Sequence, residues 1–440
     1  MYRLAIEDLK KWKDNPHRKP LIIRGARQIG KTWLMREFGK SCFEHTVYIN
    51  FEGNERMKEL FSMDMDVHRI IIGLELEAGF KINPDNILII FDEVQEVPHA
   101  LTSLKYFNEN APQYRIIAAG SMLGAALHPG TSFPVGKVEF LDLYPLNFIE
   151  FLMATGKEQF AELLQKGNFA MITNFKTKYI DALKHYYYVG GMPEAVFHFS
   201  QENDFNKVRE IQKRILDAYE QDFSKHAPNE VVPRIRMLWN SIPVQLAKEN
   251  KKFVYGLVKE GARAREFELA MQWLIDCGLV TKVSRISKLA LPLKAYKNLK
   301  AFKLFMVDIG LLSCMSRLNP QTLLEGNKLF EEFKGALTEQ YVFQQLKCMK
   351  DIDTYYWTND RGNAEIDFVV DNGNTIVPIE VKAETNLKAK SLKTYKEMFS
   401  PDISVRASMS DYKKEDWLIN LPLYAISELS NQIKKEIYAR

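Results

Sequence analysis

The 440-residue sequence lacks the features that mark membrane, secreted and zinc-binding proteins. Its four cysteines are far apart and form no CxxC pair, so a zinc ribbon, a thiol redox motif and a disulfide framework are not expected. The eight histidines show no HxH or HExxH spacing. No run approaches the ~20 apolar residues of a membrane span, and charges interrupt the N-terminal segment, unlike in a signal peptide. These absences favour a soluble, reduced, cytoplasmic protein without a membrane partner.

The composition is that of a globular chain. With 46% hydrophobic and 26% charged residues, long disorder and collagen-like structure are excluded. At roughly 150 residues per domain, the length predicts about three domains. The net charge of +4 neither requires nor excludes nucleic acid, so a nucleic-acid site has to appear as a local concentration of charge.

Short apolar runs alternate with helical patterns up to about residue 151, which predicts an α/β fold built on a parallel sheet. The predicted strands of this part are 20–24, 46–50, 86–91, 114–119 and an edge or terminal strand at 137–143. Later patterns predict helices over 152–235, a hairpin beginning at 279, a helix over 330–349, and strands at 353–357, 364–371 and 375–382. The predicted domains are 1–150, 151–235, 236–325 and 326–440.

Residues 25–32 read Gly-Ala-Arg-Gln-Ile-Gly-Lys-Thr, a complete GxxxxGK[ST] pattern directly after a predicted strand. A loop that holds a triphosphate turns its N–H groups inward, which calls for glycine. Lys31 supplies a charge for the β- and γ-phosphates and Thr32 a hydroxyl for Mg²⁺, while the following helix points its positive end at the anion. ATP and Mg²⁺ are therefore the predicted cofactors. The predicted nucleotide-binding residues are Gly25, Ala26, Arg27, Gln28, Ile29, Gly30, Lys31, Thr32 and Trp33.

A second motif ends the predicted strand at 86–91. Asp92 is expected to hold Mg²⁺, and Glu93 beside it is expected to orient or deprotonate the attacking water. The next strand ends at Gly120-Ser121, which places Ser121 as a sensor of the γ-phosphate; a serine that only turns the chain fits equally well.

The motifs together resemble the prokaryotic AAA-superfamily ATPases that carry a C-terminal domain of unknown function. The matching segments are 25–32, Phe-Asp-Glu-Val-Gln at 91–95, Ala-Gly-Ser at 119–121, 143–148, Tyr-Val-Gly-Gly-Met-Pro-Glu at 188–194, and 302–312. The resemblance spans nearly the whole chain. It implies an ASCE-type P-loop core, a helical lid, a winged helix and a PD-(D/E)xK restriction-endonuclease-like end domain.

The resemblance also implies that Gly190, Gly191 and Pro193 lie at the adenine, although a helix break before Pro193 explains these residues equally well. The sequence departs from the family at Lys137, where an arginine is expected after Gly136. Because lysine makes no forked contact with phosphate, the source of an arginine finger is left open.

Residues 251–300 contain eleven Lys/Arg against four Asp/Glu. A helix followed by a basic hairpin is typical of a winged helix on DNA, with phosphate contacts through residues 251–303. The alternative is a module that binds an unidentified protein partner. The pair Lys251-Lys252 is predicted to be a solvated turn.

An acidic pattern follows in the end domain. Strand alternation places Glu365 and Asp367 on one face, and Glu380 and Lys382 on one face of the next strand. This is the D…ExK pattern of PD-(D/E)xK nucleases, and Glu339 fits their additional acidic position. Glu339, Asp367 and Glu380 are the predicted ligands of a second metal, with Lys382 assisting hydrolysis.

The sequence as a whole predicts a P-loop protein that binds and hydrolyses ATP, and whose nucleotide state repositions the C-terminal half, with DNA as one candidate partner. Two alternatives stay open. The first is an ATP-regulated, Mg²⁺-dependent DNA endonuclease that uses Asp367, Glu380 and Lys382. The second is a nucleotide-dependent switch that binds a protein and cuts nothing. An oligomer is compatible with the sequence but is not indicated by it.

Overall fold

The computed structural model describes residues 1–120, 133–248, 251–322, 331–350, 352–359, 364–371, 375–383 and 390–438, with the backbone alone at 331–333 and 438. The chain forms two compact units. The N-terminal unit comprises residues 2–144 and 276–278; the C-terminal unit comprises Met1, 145–275 and 279–440. In the described part of the chain, no helix is both long and apolar enough to cross a membrane.

The N-terminal unit is a five-stranded sheet with helices. Its strands are β1 Leu21–Arg24, β2 His45–Asn50, β3 Ile87–Asp92, β4 Arg115–Ala119 and β5 Glu139–Asp142. Its helices are α1 Ala5–Asp14, α2 Lys31–Cys42, α3 Glu55–Met63, α4 Val67–Ala78 and α5 Pro98–Asn110. The strand order is β2-β3-β4-β1-β5, and every pairing is parallel. The predicted α/β fold with a parallel sheet is confirmed.

The burial of these strands follows their place in the sheet. All six residues of β3 are buried, as expected for a central strand that is covered on both faces. β5 alternates between half-buried and exposed residues, as an edge strand does. A large apolar cluster of the unit includes Ile22, Ile89, Phe91 and Ile116 from three neighbouring strands. The carboxyl ends of β1 and β3 are thereby fixed within one rigid sheet.

The C-terminal unit is mainly helical up to residue 275 and then mixed. Its helices are α6 Phe148–Ala154, α7 Glu158–Gln165, α8 Phe169–Asn174, α9 Lys176–Val189, α10 Pro193–Glu202, α11 Phe205–His226, α12 Val232–Ala247, α13 Ala264–Asp276, α14 Ile309–Met315, α15 Glu331–Lys347, α16 Lys390–Phe399 and α17 Leu429–Tyr438. Its strands are β6 Val280–Ile286, β7 Lys297–Met306, β8 Asp353–Thr358, β9 Glu365–Asp371, β10 Ile376–Val381, β11 Ser404–Ser408, β12 Lys413–Lys414 and β13 Leu418–Pro422.

These strands form one eight-stranded sheet in the order β12-β13-β11-β10-β9-β8-β6-β7. β6 and β7 are the antiparallel hairpin predicted from the basic segment, and it follows α13 directly. A parallel pairing of Arg285 with Tyr356 joins this hairpin to β8. The hairpin therefore continues the sheet of the end domain. The predicted boundaries at 150 and 235 fall inside α6 and α12, and the one at 325 lies outside the described residues.

Candidate functional site

The loop between β1 and α2 has the backbone of a phosphate cradle. Gly25 and Gly30 have φ angles of 145° and 89°, and Gln28 between them has φ 65°. A Cβ on Gly25 would lie 2.3 Å from the carbonyl oxygen of Leu143, so both its conformation and its surroundings require glycine. The loop leads straight into the N-terminus of α2, where unpaired N–H groups favour an anion.

Lys31 is folded into this loop. Its ammonium donates hydrogen bonds to the carbonyl oxygens of Gly25 (2.9 Å) and Ala26 (2.8 Å). Burial lowers the pKa of Lys31 to about 8, although the nearby carboxylates of Glu93 and Asp92 act to raise it. A buried cation held mainly by neutral carbonyls gains strongly from a phosphate placed at the loop.

The two predicted Mg²⁺ residues meet, although sixty positions separate them in sequence. The Thr32 hydroxyl donates to Asp92 Oδ2 at 2.7 Å. The backbone N–H of Glu93 donates to Asp92 Oδ1 at 3.1 Å. Asp92 is 3% exposed, so the carboxylate has a fixed place at the end of β3. A threonine hydroxyl beside a carboxylate is a suitable oxygen donor set for Mg²⁺, and these residues fit the ion that the fold implies.

Glu93 follows in a strained conformation, with φ 50° for a residue that has a side chain. The amide of Gln95 donates to Glu93 Oε2 at 2.6 Å. The other amide atom of Gln95, Oε1, is buried and has no hydrogen-bond partner among the described residues. Gln95 therefore holds the Glu93 carboxylate, and the Oε1 atom of Gln95 can accept a hydrogen bond from a water molecule.

Sequence reasoning missed two residues of this site. The hydroxyl of Tyr48 on β2 donates to Asp92 Oδ2 at 2.8 Å. The guanidinium carbon of Arg36 lies 3.9 Å from the centre of the Tyr48 ring. Burial, together with Asp92, raises the pKa of Tyr48, so its hydroxyl remains a donor at neutral pH. Arg36 lies one helical turn after Thr32 on α2. No sequence motif connects Thr32 or Arg36 with Tyr48 on β2, so these contacts have no signal in the sequence.

The remaining nucleotide candidates of the N-terminal unit are placed as follows. Trp33 in the first turn of α2 is 36% exposed. Lys137 forms an ion pair with Glu109 at 2.9 Å. β4 lies beside β3 as expected, but Ser121 is outside the described residues.

Gly190 and Gly191 are explained by packing inside the C-terminal unit. The N–H of Gly191 donates to Asp308 at 2.6 Å, and its carbonyl accepts from Leu146 at 2.7 Å. A Cβ on Gly191 would lie 2.1 Å from the carbonyl oxygen of Leu146, and one on Gly190 would lie 2.2 Å from an Asp308 oxygen. Pro193 is at the start of α10, where proline is favoured. The proposal that these residues lie at the adenine is thus not needed to explain them.

The end domain brings together a buried ion cluster around Lys303, which sequence reasoning did not identify. Lys303 is fully buried, and its ammonium lies 3.3 Å from Glu339, 2.5 Å from Glu365 and 4.0 Å from Asp367. The ammonium of Lys251 pairs with the other oxygen of Glu339. We call these five residues the Lys303 cluster.

The electrostatics of the Lys303 cluster follow from burial and charge. Burial alone lowers the pKa of Lys303, but the three carboxylates outweigh it and raise the pKa. Burial raises the pKa of Glu339 less than Lys303 and Lys251 lower it, so this carboxylate stays charged. Burial, with the charge of Glu339 adding to it, raises the pKa of Asp367 to about 7.

Glu380 and Lys382 form a separate pair at 3.0 Å. Glu380 Oε2 is buried without a hydrogen-bond partner among the described residues. Asp367 turns one oxygen to the N–H of Val381 at 2.7 Å and the other toward Lys303. In the described part of the chain, no three acidic, histidine or cysteine side chains are grouped to hold a metal ion. Glu339, Glu365 and Asp367 surround the Lys303 ammonium instead, so the donor set around Asp367 does not fit the second metal that the resemblance implies.

The structure corrects the expectation that the whole basic segment is available to DNA. Lys303 is fully buried and Lys251 is 11% exposed, so neither of these two lysines offers a phosphate contact. The solvated turn predicted at Lys251-Lys252 is wrong for Lys251. Arg285 donates to the Thr358 hydroxyl at 3.2 Å within the sheet. The exposed basic residues of the hairpin are Lys282, Lys288, Lys294, Lys297 and Lys300.

Comparison with protein families gives three matches. A family model described as an AAA domain matches residues 17–152. Two models described as domains of unknown function match residues 180–322 (DUF8612) and 334–425 (DUF4143). No curated protein matches the sequence significantly.

Among solved structures, the Walker-type ATPase paby2304 of Pyrococcus abyssi is 15% identical, with a TM-score of 0.44; the match covers 71% of this chain and 94% of that one. The ORC1 protein of Aeropyrum pernix, solved in complex with DNA, is 12% identical, with a TM-score of 0.29, covering 72% and 93%. At such TM-scores neither neighbour is a guide to activity. The AAA model matches the part of the chain that forms the parallel sheet and its phosphate loop, so this part is similar to AAA domains.

Proposed function

We propose that the N-terminal unit binds ATP with Mg²⁺ and hydrolyses it. The observation that supports this most directly is the hydrogen bond between Thr32 and Asp92, because it joins the phosphate loop to the acidic end of β3. Bound Mg²⁺ supplies charge neutralisation on the phosphate oxygens, and Thr32 and Asp92 would hold it.

The residues of the chain have separate roles in this proposal. The Lys31 ammonium gives up its hydrogen bonds to the carbonyl oxygens of Gly25 and Ala26 and donates to phosphate oxygens instead. Glu93 accepts a proton from the attacking water, whose oxygen bonds to the γ-phosphorus as the bond to the ADP oxygen breaks. Gln95 keeps the Glu93 carboxylate in place through its 2.6 Å hydrogen bond. Nucleotide state then repositions the C-terminal half.

Two variants test the assignment of roles. Lys31→Ala should abolish or severely weaken ATP binding, whereas Glu93→Gln should keep ATP affinity and lose hydrolysis, because an amide keeps the shape but accepts no proton. Lys40→Ala, at the exposed end of the same helix, is the matched control. Near-normal ATP affinity in folded Lys31→Ala would contradict the site, and equal loss of binding in both variants would contradict the role of Glu93.

A second candidate function is DNA binding by the β6–β7 hairpin. This candidate is supported by the five exposed lysines of the hairpin, which lie on its two paired strands and the turn between them. Replacing Lys288, Lys294 and Lys300 by glutamine should weaken binding for all sequences, and the slope of log affinity against log salt should fall by up to about 0.9 per contact. Three exposed lysines elsewhere, Lys178, Lys213 and Lys434, give the control. An unchanged slope, or no DNA binding at low salt, would favour a protein partner.

We propose no nuclease reaction. Such chemistry needs carboxylates grouped to hold a metal, and no such group of three acidic, histidine or cysteine side chains is found among the described residues. The end domain is better suited to a structural or binding role.

A further inference from the structure

Tyr48 lies next to the acidic end of β3 because of the strand register. β2 and β3 pair in parallel, with Asn50 opposite Asp92 and Tyr48 opposite Ile90. Side chains two positions apart on a strand share a face, so Tyr48 is on the same face as the partner of Asp92. Its long side chain extends along the sheet and brings the hydroxyl to 2.8 Å from Asp92 Oδ2.

The hydrogen bonds to Asp92 account for most of its acceptor capacity. A carboxylate offers about four lone-pair positions. Thr32 and Tyr48 both donate to Oδ2, and the Glu93 N–H donates to Oδ1. The donors come from α2, from β2 and from the backbone directly after β3, and the position that remains is on Oδ1.

Arg36 closes this arrangement. Its guanidinium stacks on the Tyr48 ring at 3.9 Å, and it comes from the same helix as Thr32. The contacts therefore form a closed circuit that runs from α2 through Asp92 to Tyr48 and back to α2. The hydrogen bond at the hydroxyl and the stacked guanidinium on the ring together hold the Tyr48 side chain in one orientation.

We propose that Tyr48 is a positioning residue that orients Asp92 toward Mg²⁺, with Arg36 fixing the Tyr48 ring. This inference rests on the proposed ATPase function. It predicts that Tyr48 matters for the metal and not for the nucleotide itself, because the contacts of Lys31 with the phosphates do not involve β2.

The test is Tyr48→Phe, which removes one hydroxyl and keeps the ring. Binding of a fluorescent ATP analogue is measured in EDTA and then during titration with Mg²⁺ or Mn²⁺. Loss of a residue that orients a metal ligand typically costs about 10–100-fold in metal affinity. We expect the Mg²⁺ concentration for half-maximal response to rise by that factor, while nucleotide affinity in EDTA stays unchanged. Hydrolysis should recover at high Mg²⁺.

Two further variants sharpen the test. Tyr106→Phe in the same unit is the control and should leave the Mg²⁺ response unchanged. Arg36→Met keeps the hydroxyl but removes the stacked cation, and should give a smaller shift in the same direction. An unaltered Mg²⁺ response in Tyr48→Phe would overturn the role of Tyr48 and leave the ATPase proposal standing. Wild-type protein that binds no nucleotide in either condition would overturn both.

Discussion

Replacing Lys303 by methionine would remove a fully buried positive charge while keeping nearly the same length of side chain. Glu339 would retain Lys251 as a partner, but Glu365 and Asp367 would lose the nearest cation. Removing one partner of a buried ion pair typically costs about 3–5 kcal/mol, because it leaves charge without compensation. We therefore expect Lys303→Met to lower the free energy of unfolding of the C-terminal unit by that amount.

The pH dependence of this loss has a definite sign. Burial raises the pKa of Glu365 and of Asp367, and Lys303 opposes the rise in both. Without Lys303, the folded protein holds these protons up to still higher pH than the unfolded chain does. A raised folded-state pKa gives stability that is present at low pH and lost as the pH rises through it. The deficit of Lys303→Met should thus be smaller at pH 5 than at pH 8.

The assay is urea unfolding of the full chain, followed by tryptophan fluorescence, with hydrogen exchange of β7 and β9 as a local measure. Lys300→Met is the matched control, because Lys300 is exposed on the same strand. Adding Glu365→Gln to Lys303→Met should restore part of the stability, since it removes one of the uncompensated charges. A loss under about 1 kcal/mol, or one that does not change with pH, would refute this account of the cluster.

Two further predictions concern the same unit. Gly191→Ala should destabilise by about 1–3 kcal/mol, because its Cβ would meet the backbone of Leu146; Gly256→Ala, where the nearest described atom is 3.9 Å away, should be nearly neutral in the same unfolding assay. Asp367→Asn should gain stability relative to wild type as the pH rises from about 4 to about 7. The reason is that the raised pKa of Asp367 makes wild type lose stability over that window. A difference in unfolding free energy that stays constant with pH would contradict the burial of this charge.

The phosphate loop and the strands beside it could be predicted because their signals are local. GxxxxGK[ST] demands glycine at particular turns, and β3 is a continuous apolar run because a central parallel strand is covered on both faces. Tyr48 carries no such signal. Its role depends on β2 being the neighbour of β3 and on the register that sets Asn50 opposite Asp92, and strand order is a property of the tertiary fold.

The end domain shows which of its charges alternation could place and which it could not. All residues of β7 from 301 to 306 are buried, so Lys303 is inside a segment without an exposed face. The pairing of β8 with β9 shifts register between Tyr355 and Trp357. Glu365 and Asp367 nevertheless share a side of β9, and both lie within 4.0 Å of the Lys303 ammonium. Alternation therefore places these two carboxylates correctly but gives no sign of the buried cation beside them.

The segment Tyr188-Val-Gly-Gly-Met-Pro illustrates a further point about motifs. Its glycines are needed because two backbones and the Asp308 carboxylate meet there with no room for a Cβ. Burial raises the pKa of Asp308, but the N–H groups of Gly191 and Leu311 and the amide of Gln344 donate to it and counter the rise. Close contacts and hydrogen bonds within the fold already require glycine at these positions, so packing accounts for this part of the segment. Gly190 and Gly191 are thus required by the fold itself, with or without a nucleotide base beside them.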